Sequence, residues 1–512
     1  MNEKTSAWRT FFWPIQKEEY GKFFFMFAIF FLISFNYNLL RAIKDTLIIT
    51  APQSGAEAIP FIKVWGILPM AFFMTFLFTR LSNRMDREKV FNTMLLIFFC
   101  FFAFFTFILY PLRESIQPHE SIERLSRYFP QGFQGFLALF RNWTFAVFYI
   151  MSELWSTMIL SVLFWGFAND ITSVSEAKRF YALLGVGANV AGIISGQVVA
   201  VLSSTIYSPR LPFGNNAWDQ SVLYMNLTIM AIIVLIMILF WTLNRRIIRW
   251  DSVPWRHQVK PKMSLRETFS YLGKSKYLIC IAVIVVTYNI AINLIEIIWK
   301  DQIKQLYPNP SDYNAYMGQV MTVMGVIATL TALFISGNML RKFPWTFSAM
   351  IPPIIVLVTG TGFFAFFLLK HSWLTVIAAC VGSTPLIMCV FFGSMQNCMS
   401  RAAKYTLFDA TKEIAFIPLG QECKLKGKAA IDGVGSRIGK SGGSIIYQVL
   451  LLQFVTVAAS APYIGLIFLA IVGGWIAAVL TLGKEFSLLV AKKATLEISE
   501  EAESKAKTEG LT

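Results

Sequence analysis

The chain has 512 residues, 56% of them hydrophobic and only 14% charged, with a mean hydropathy of +0.58. Soluble domains carry roughly 25% charged residues, so this composition excludes an ordinary water-soluble protein and implies a chain built for a bilayer. The formal net charge of +16 does not point to nucleic acid, because the basic residues gather in alternate loops and form no stripe interleaved with aromatics.

Residues 1–22, with Trp8, Trp13, Lys17 and Lys22, read as an amphipathic cytoplasmic lead-in, and no cleavable signal peptide is recognisable. A bilayer core about 30 Å thick needs about 20 apolar residues per helix. Twelve segments meet that length: 23–43, 59–79, 90–110, 143–168, 182–204, 221–243, 277–298, 316–337, 346–369, 373–398, 430–455 and 461–483. Continuous apolar runs of this kind are helices and not barrel strands, since each helix satisfies its own backbone.

Lys and Arg set the orientation. Arg80, Arg84, Arg87 and Lys89, then Lys178 and Arg179, then Arg341 and Lys342 lie in loops on one side. The linkers 244–276 and 399–428 and both termini fall on that same side, which places the termini in the cytoplasm. The basic run Arg245, Arg246, Arg249, Arg256, Lys260, Lys262 and Arg266 in 244–276 suits a connector resting on anionic lipid. It divides a six-helix half at 23–243 from another at 277–483, and a charged cytoplasmic tail follows at 484–512.

An internal echo supports that division. Lys178-Arg179 precedes Gly185-Val186-Gly187, and Lys426-Gly427-Lys428 precedes Gly433-Val434-Gly435, each leading lysine at the same offset. A weaker echo pairs Lys44-Asp45, after span one, with Lys300-Asp301, after span seven. Parallel six-helix repeats are the plan of major-facilitator carriers, with substrate bound between the halves. The expected fold is therefore an all-α, major-facilitator-like membrane protein of twelve transmembrane helices.

Four charges stand where charge is costly: Lys63, Glu153, Glu296 and Lys440. An ionised group at mid-bilayer costs about 2.5–3.5 kcal/mol on insertion scales, so it faces a wet cavity and marks function. Lys63 is near a span start, where snorkelling is the plainer alternative. Glu296 lies close to the end of its span, where partial exposure is the alternative. Glu153 is deep in its span, and Lys440 follows Arg437 by one turn. Asn293, Arg437, Lys44 and Trp155 are secondary candidates. Lysines would neutralise a polyphosphate, and carboxylates would pair with them in the empty state, because unpaired buried charge is costly. Trp65, Tyr149 and Trp155 could stack a base, although packing is the simpler role for each.

Other chemistries find little footing. Gly439-Lys440-Ser441 lacks the earlier glycine of a P-loop, since position 434 is Val, and its context is a span rather than a strand. Gly192 and Gly196 form a GxxxG that reads as close helix packing. The three histidines, His119, His257 and His371, lie in loops, so a histidine proton relay is absent. The six cysteines form no CxxC pair. No cofactor, metal, enzymatic activity or nucleic-acid partner is expected, and the carrier is expected to be a monomer.

Several long motifs resemble the ATP/ADP translocases of obligate intracellular bacteria and plastids. They are Lys44-Asp45-Thr46 through Glu57 leading to Ile59-Pro60-Phe61-Ile62-Lys63; Glu153-Leu154-Trp155 with Phe164-Trp165-Gly166-Phe167-Ala168-Asn169; Lys404-Tyr405 through Asp409-Ala410-Thr411-Lys412-Glu413; and Lys426 through Gly443. They keep the family's order from residue 35 to residue 480. The resemblance implies a nucleotide transporter in the inner membrane of a host-dependent bacterium, exchanging host ATP for ADP. It carries the family's important intramembrane charges onto Lys63, Glu153, Glu296 and Lys440. A proton-coupled or broader nucleotide importer is the alternative that it also allows, with Glu153 or Glu296 taking the proton.

Overall fold

The computed structural model describes residues 15–248, 275–369, 374–419, 427–428, 431 and 435–509. Residues 1–14 of the lead-in, 249–274 of the central linker, and Lys426, Gly433 and Val434 of the echo lie outside the described residues. Among the described residues, ten helices are long and apolar enough to cross a membrane. They are α1 (Tyr20–Ile49), α2 (Ala58–Ser82), α3 (Arg87–Leu109), α4 (Trp143–Ile171), α5 (Val174–Ser203), α6 (Ala217–Ile247), α7 (Lys276–Leu306), α8 (Pro310–Ile335), α9 (Trp345–Leu368) and α12 (Val457–Glu509). The remaining two expected spans appear as α10 (Pro385–Ala403) and α11 (Ser436–Phe454).

Helix boundaries differ from the expected spans at three places. The tenth span, 373–398, is broken into Leu374–Cys380 and α10. Gly382 adopts φ +68°, a left-handed conformation that closes the first piece. Thr384 then caps α10, accepting from the Ile387 N–H, and Pro385 occupies its first turn. The 399–428 linker is not all loop: α10 runs to Ala403, and helical turns continue through Ala415. The charged tail after 483 continues α12 as one helix to Glu509.

The chain gathers into two compact units. The first contains α1–α6, Ile297–Thr329 and Gln448–Ser460; the second contains α7 up to Glu296, Leu330–Tyr447 and the chain from Ala461. In the first, α1 is the central rod. Its 30 residues make a helix about 45 Å long, and from Leu39 to Ile49 every residue is buried. A helix buried all round belongs inside a bundle. The Trp155 indole N–H donates to the Ile33 carbonyl at 3.1 Å, and Asn36 donates to the Ile229 carbonyl at 3.1 Å, fastening α4 and α6 to α1. Stacked Phe91 and Phe240, 3.9 Å apart, join α3 to α6.

The start of α5 is fixed by a capping box. Ser173 accepts from the Glu176 N–H, and the Glu176 carboxylate returns to the Ser173 N–H at 2.7 Å. That carboxylate also accepts from Lys22 at 2.9 Å. Burial pushes the Glu176 carboxyl up, but the Ser173 N–H and Lys22 outweigh it and hold the group below its ordinary value.

In the second unit α9 packs on α10, with Phe366 and Phe392 stacked at 4.4 Å. Pro352 and Pro353 sit buried inside α9, a position tolerated in a membrane where neighbours satisfy the freed carbonyls. Gly439 and Gly443 bring α11 onto α7. A methyl group at Gly439 would lie 2.7 Å from Asn289 Cβ and 3.0 Å from the Val286 carbonyl oxygen, so any larger residue forces the helices apart.

Candidate functional site

The described helices place the sequence-derived charges in both units: Lys63 and Glu153 in the first, Glu296 and Lys440 in the second. Lys63 is half-buried on a π-helical segment, Ile62–Ile67, within α2. Ser156–Phe164 and Lys404–Phe408 are also π-helical, beginning three residues after Glu153 and three after Arg401. Such segments are uncommon and concentrate at functional positions.

Around Glu153 the structure builds a row of alternating charge. Lys44 Nζ lies 2.9 Å from Glu153 Oε1 and 3.0 Å from Asp45 Oδ1. Lys300 Nζ, from α7, lies 2.8 Å from the other oxygen of Asp45. The order is Glu153, Lys44, Asp45, Lys300. Asp45 is fully buried, Lys44 and Lys300 nearly so, and the Glu153 side chain keeps 30% of its exposure. The row therefore has one accessible end. Lys44 also sits over the Tyr149 ring, 3.8 Å from its centroid, which adds a cation–π attraction in a desolvated place. Two anions and two cations in contact compensate one another, and that is how such groups survive burial.

Around Glu296 the partner is an arginine. Arg401 Nη2 lies 3.1 Å from Glu296 Oε1, while Arg401 Nε donates to Asn397 Oδ1 at 2.9 Å. Both members of the pair are largely buried, with 14% and 11% of their side chains exposed. Asn293, one turn before Glu296 on α7, donates to the Lys440 carbonyl and the Ser444 hydroxyl, each at 3.1 Å. It locks α11 beside α7 and leaves the Lys440 side chain exposed, like that of Arg437 one turn earlier. Gly439-Lys440-Ser441 is helical here, in keeping with a span and not a P-loop.

Of the secondary candidates, Lys44 is central to the first cluster and Asn293 is a positioning residue in the second. Trp155 is completely buried, its N–H satisfied by Ile33 and its ring edge-on to Phe98; it holds α4 to α1. Trp65 is 61% exposed and donates to Gln448. Sequence reasoning noted Asp45 and Lys300 only as an echo, and it missed Arg401. The available signal was each residue's spacing one or two turns from a polar helix residue.

The described helices are long and apolar enough to cross a membrane and carry ion pairs among their buried side chains, and their fold has counterparts among solved structures. The chain is similar to a D-xylose–proton symporter structure at a TM-score of 0.54 and 12% identity, over 90% of this chain and 97% of that one. That places it in the major-facilitator architecture. Residues 1–486 match the TLC ATP/ADP transporter family, and the protein belongs to that family. It is 44% identical to ADP,ATP carrier protein 1 of Chlamydia trachomatis, over 95% of this chain and 92% of the relative. It is 41% identical to the chloroplastic ADP,ATP carrier protein 2 of Arabidopsis thaliana, over 91% and 74% respectively.

Proposed function

We propose that this protein exchanges ATP for ADP across the inner membrane of a bacterium by alternating access, without chemical change to either nucleotide and with both termini in the cytoplasm. The observation that carries the reading is the match to relatives named ADP,ATP carriers along nearly the whole chain. The charge arrangement supports it. Lys63 and Lys440 would neutralise phosphates, and Glu153 and Glu296 hold cations while the carrier is empty. A nucleotide's phosphates compete for those cations, so binding and helix rearrangement are linked. Exchange further requires that the empty carrier reorient slowly. The protein acts as a monomer within the lipid bilayer and takes no cofactor.

The test is uptake of labelled ATP into proteoliposomes, either ADP-loaded or empty, at equal pH on both sides. Uptake confined to ADP-loaded vesicles is expected. Equal uptake into both would sink obligatory exchange and favour a net importer, with Glu153 or Glu296 as the proton-coupling group. Lys63→Ala should weaken binding of the triphosphate more than that of the monophosphate, by about tenfold or more if one charge-assisted phosphate contact is lost. Competition assays with ATP, ADP and AMP read this directly, and equal losses for all three would count against phosphate neutralisation by Lys63.

A further inference from the structure

Two of the sequence-derived carboxylates, Glu153 and Glu296, are held in a related but inverted way. Glu153 stands on α4 and meets Lys44 of α1. Glu296 stands on α7 and meets Arg401 of α10. If the chain is two parallel six-helix repeats, α1 corresponds to α7 and α4 to α10. Each half then carries one ion pair across the same two helices, with the signs exchanged. In the first half the cation is on the leading helix; in the second it is on the fourth.

We infer that Arg401 is a substrate-binding residue, the cation that Glu296 restrains in the empty carrier and that takes a nucleotide phosphate when the pair opens. This rests on the exchange reading above and adds a residue to it. Three observations carry it. Arg401 is paired across helices to a carboxylate expected to act in transport. Its guanidinium plane is oriented from behind by Asn397, one turn earlier on the same helix, through Nε at 2.9 Å. Asn397 itself is buried and the Arg401 side chain is not sealed off, so the fork is held firmly yet stays reachable. An arginine fork matches two oxygens of one phosphate in the same way that it matches a carboxylate. Phosphate and Glu296 are therefore alternative occupants of one site.

That competition gives the two members of the pair opposite signatures. A purely structural ion pair would lose stability when either member is changed, with no separate effect on ligand affinity. A competitor and a ligand-binding group behave differently. Arg401→Gln should raise the Kd for ATP and ADP tenfold or more. Glu296→Gln should lower the Kd for ATP severalfold while slowing exchange, because the restraint that resets the empty site is gone. Arg401→Lys keeps the charge but not the fork, and should fall between wild type and Arg401→Gln.

The experiment measures binding of labelled ATP and of inorganic pyrophosphate to the purified full-length carrier, with exchange in proteoliposomes alongside. Affinity changes of opposite sign at Arg401 and Glu296 are the expected result. Unchanged ATP affinity in folded, monodisperse Arg401→Gln overturns the inference and leaves the exchange reading intact. If Arg401→Gln does not fold, Arg401→Lys decides: a severalfold weaker Kd supports the inference, and an unchanged one overturns it. A wild type that binds neither ATP nor pyrophosphate overturns the exchange reading and this inference together.

Discussion

Asp45→Ala should be among the most damaging single substitutions in this protein. Asp45 lies fully buried between Lys44 and Lys300, at 3.0 and 2.8 Å. Truncating it leaves two ammonium groups close together in a place with little water. Breaking a buried pair by removing one partner costs about 3–5 kcal/mol, because the other charge stays buried. The loss should appear as a large drop in the thermal midpoint of the detergent-purified carrier, and as aggregation during purification. Lys300→Met in the Asp45→Ala background should recover much of it, since the second cation is then gone and Lys44 keeps Glu153. Lys300→Met alone should be milder than Asp45→Ala, because Asp45 retains Lys44. An Asp45→Ala protein with wild-type thermal stability would refute the structural weight given to this row.

The second large effect is expected at Gly196. A methyl group there would fall 2.5 Å from the Gly318 carbonyl oxygen and 2.8 Å from the Thr322 N–H, and the reverse holds at Gly318, whose added methyl would lie 2.6 Å from the Gly196 carbonyl oxygen. The obstacle is backbone on both sides, so α5 and α8 must separate before any side chain fits. Forcing extra carbon into such a contact costs about 1–3 kcal/mol for each small addition and more for a branched one. Gly196→Val should therefore abolish exchange and lower expression, and Gly196→Ala should be intermediate. Gly192 is the internal control: its added methyl would meet only Asn38 Nδ2, at 3.7 Å, so Gly192→Ala should keep wild-type exchange and thermal stability. Equal damage at both glycines would show that the GxxxG spacing itself matters, and not the approach of α8.

That contrast also indicates what the sequence can convey. GxxxG announced close packing, but of its two glycines only Gly196 faces α8, which lies against α5 from Asn189 to Ala200 on a side that Gly192 does not share. The helix count and the family were legible from apolar run length and from the motifs that contain Lys63 and Glu153. The cation partners were less so, for a common reason. The expected spans end at 43, 298 and 398, one to three residues before Lys44, Lys300 and Arg401, whereas the helices run on to Ile49, Leu306 and Ala403. A hydropathy window closes near a charge at a span's edge, and in these three helices that charge is inside the bundle, with an ion-pair partner far away in the chain. Lys44 and Glu153 are more than a hundred residues apart, as are Glu296 and Arg401. No local pattern reports such a pairing.

The row from Glu153 to Lys300 also has an electrical meaning. A membrane potential does about 2.3 kcal/mol of work per 100 mV on each elementary charge that crosses it. Glu153, Lys44, Asp45 and Lys300 alternate in sign and cancel, so the field finds almost no net charge on this row to push, whichever way its helices turn. Voltage then acts on the cargo. A current recorded during exchange would weigh the difference in charge between the nucleotide entering and the nucleotide leaving, with little gating charge from this part of the carrier superimposed.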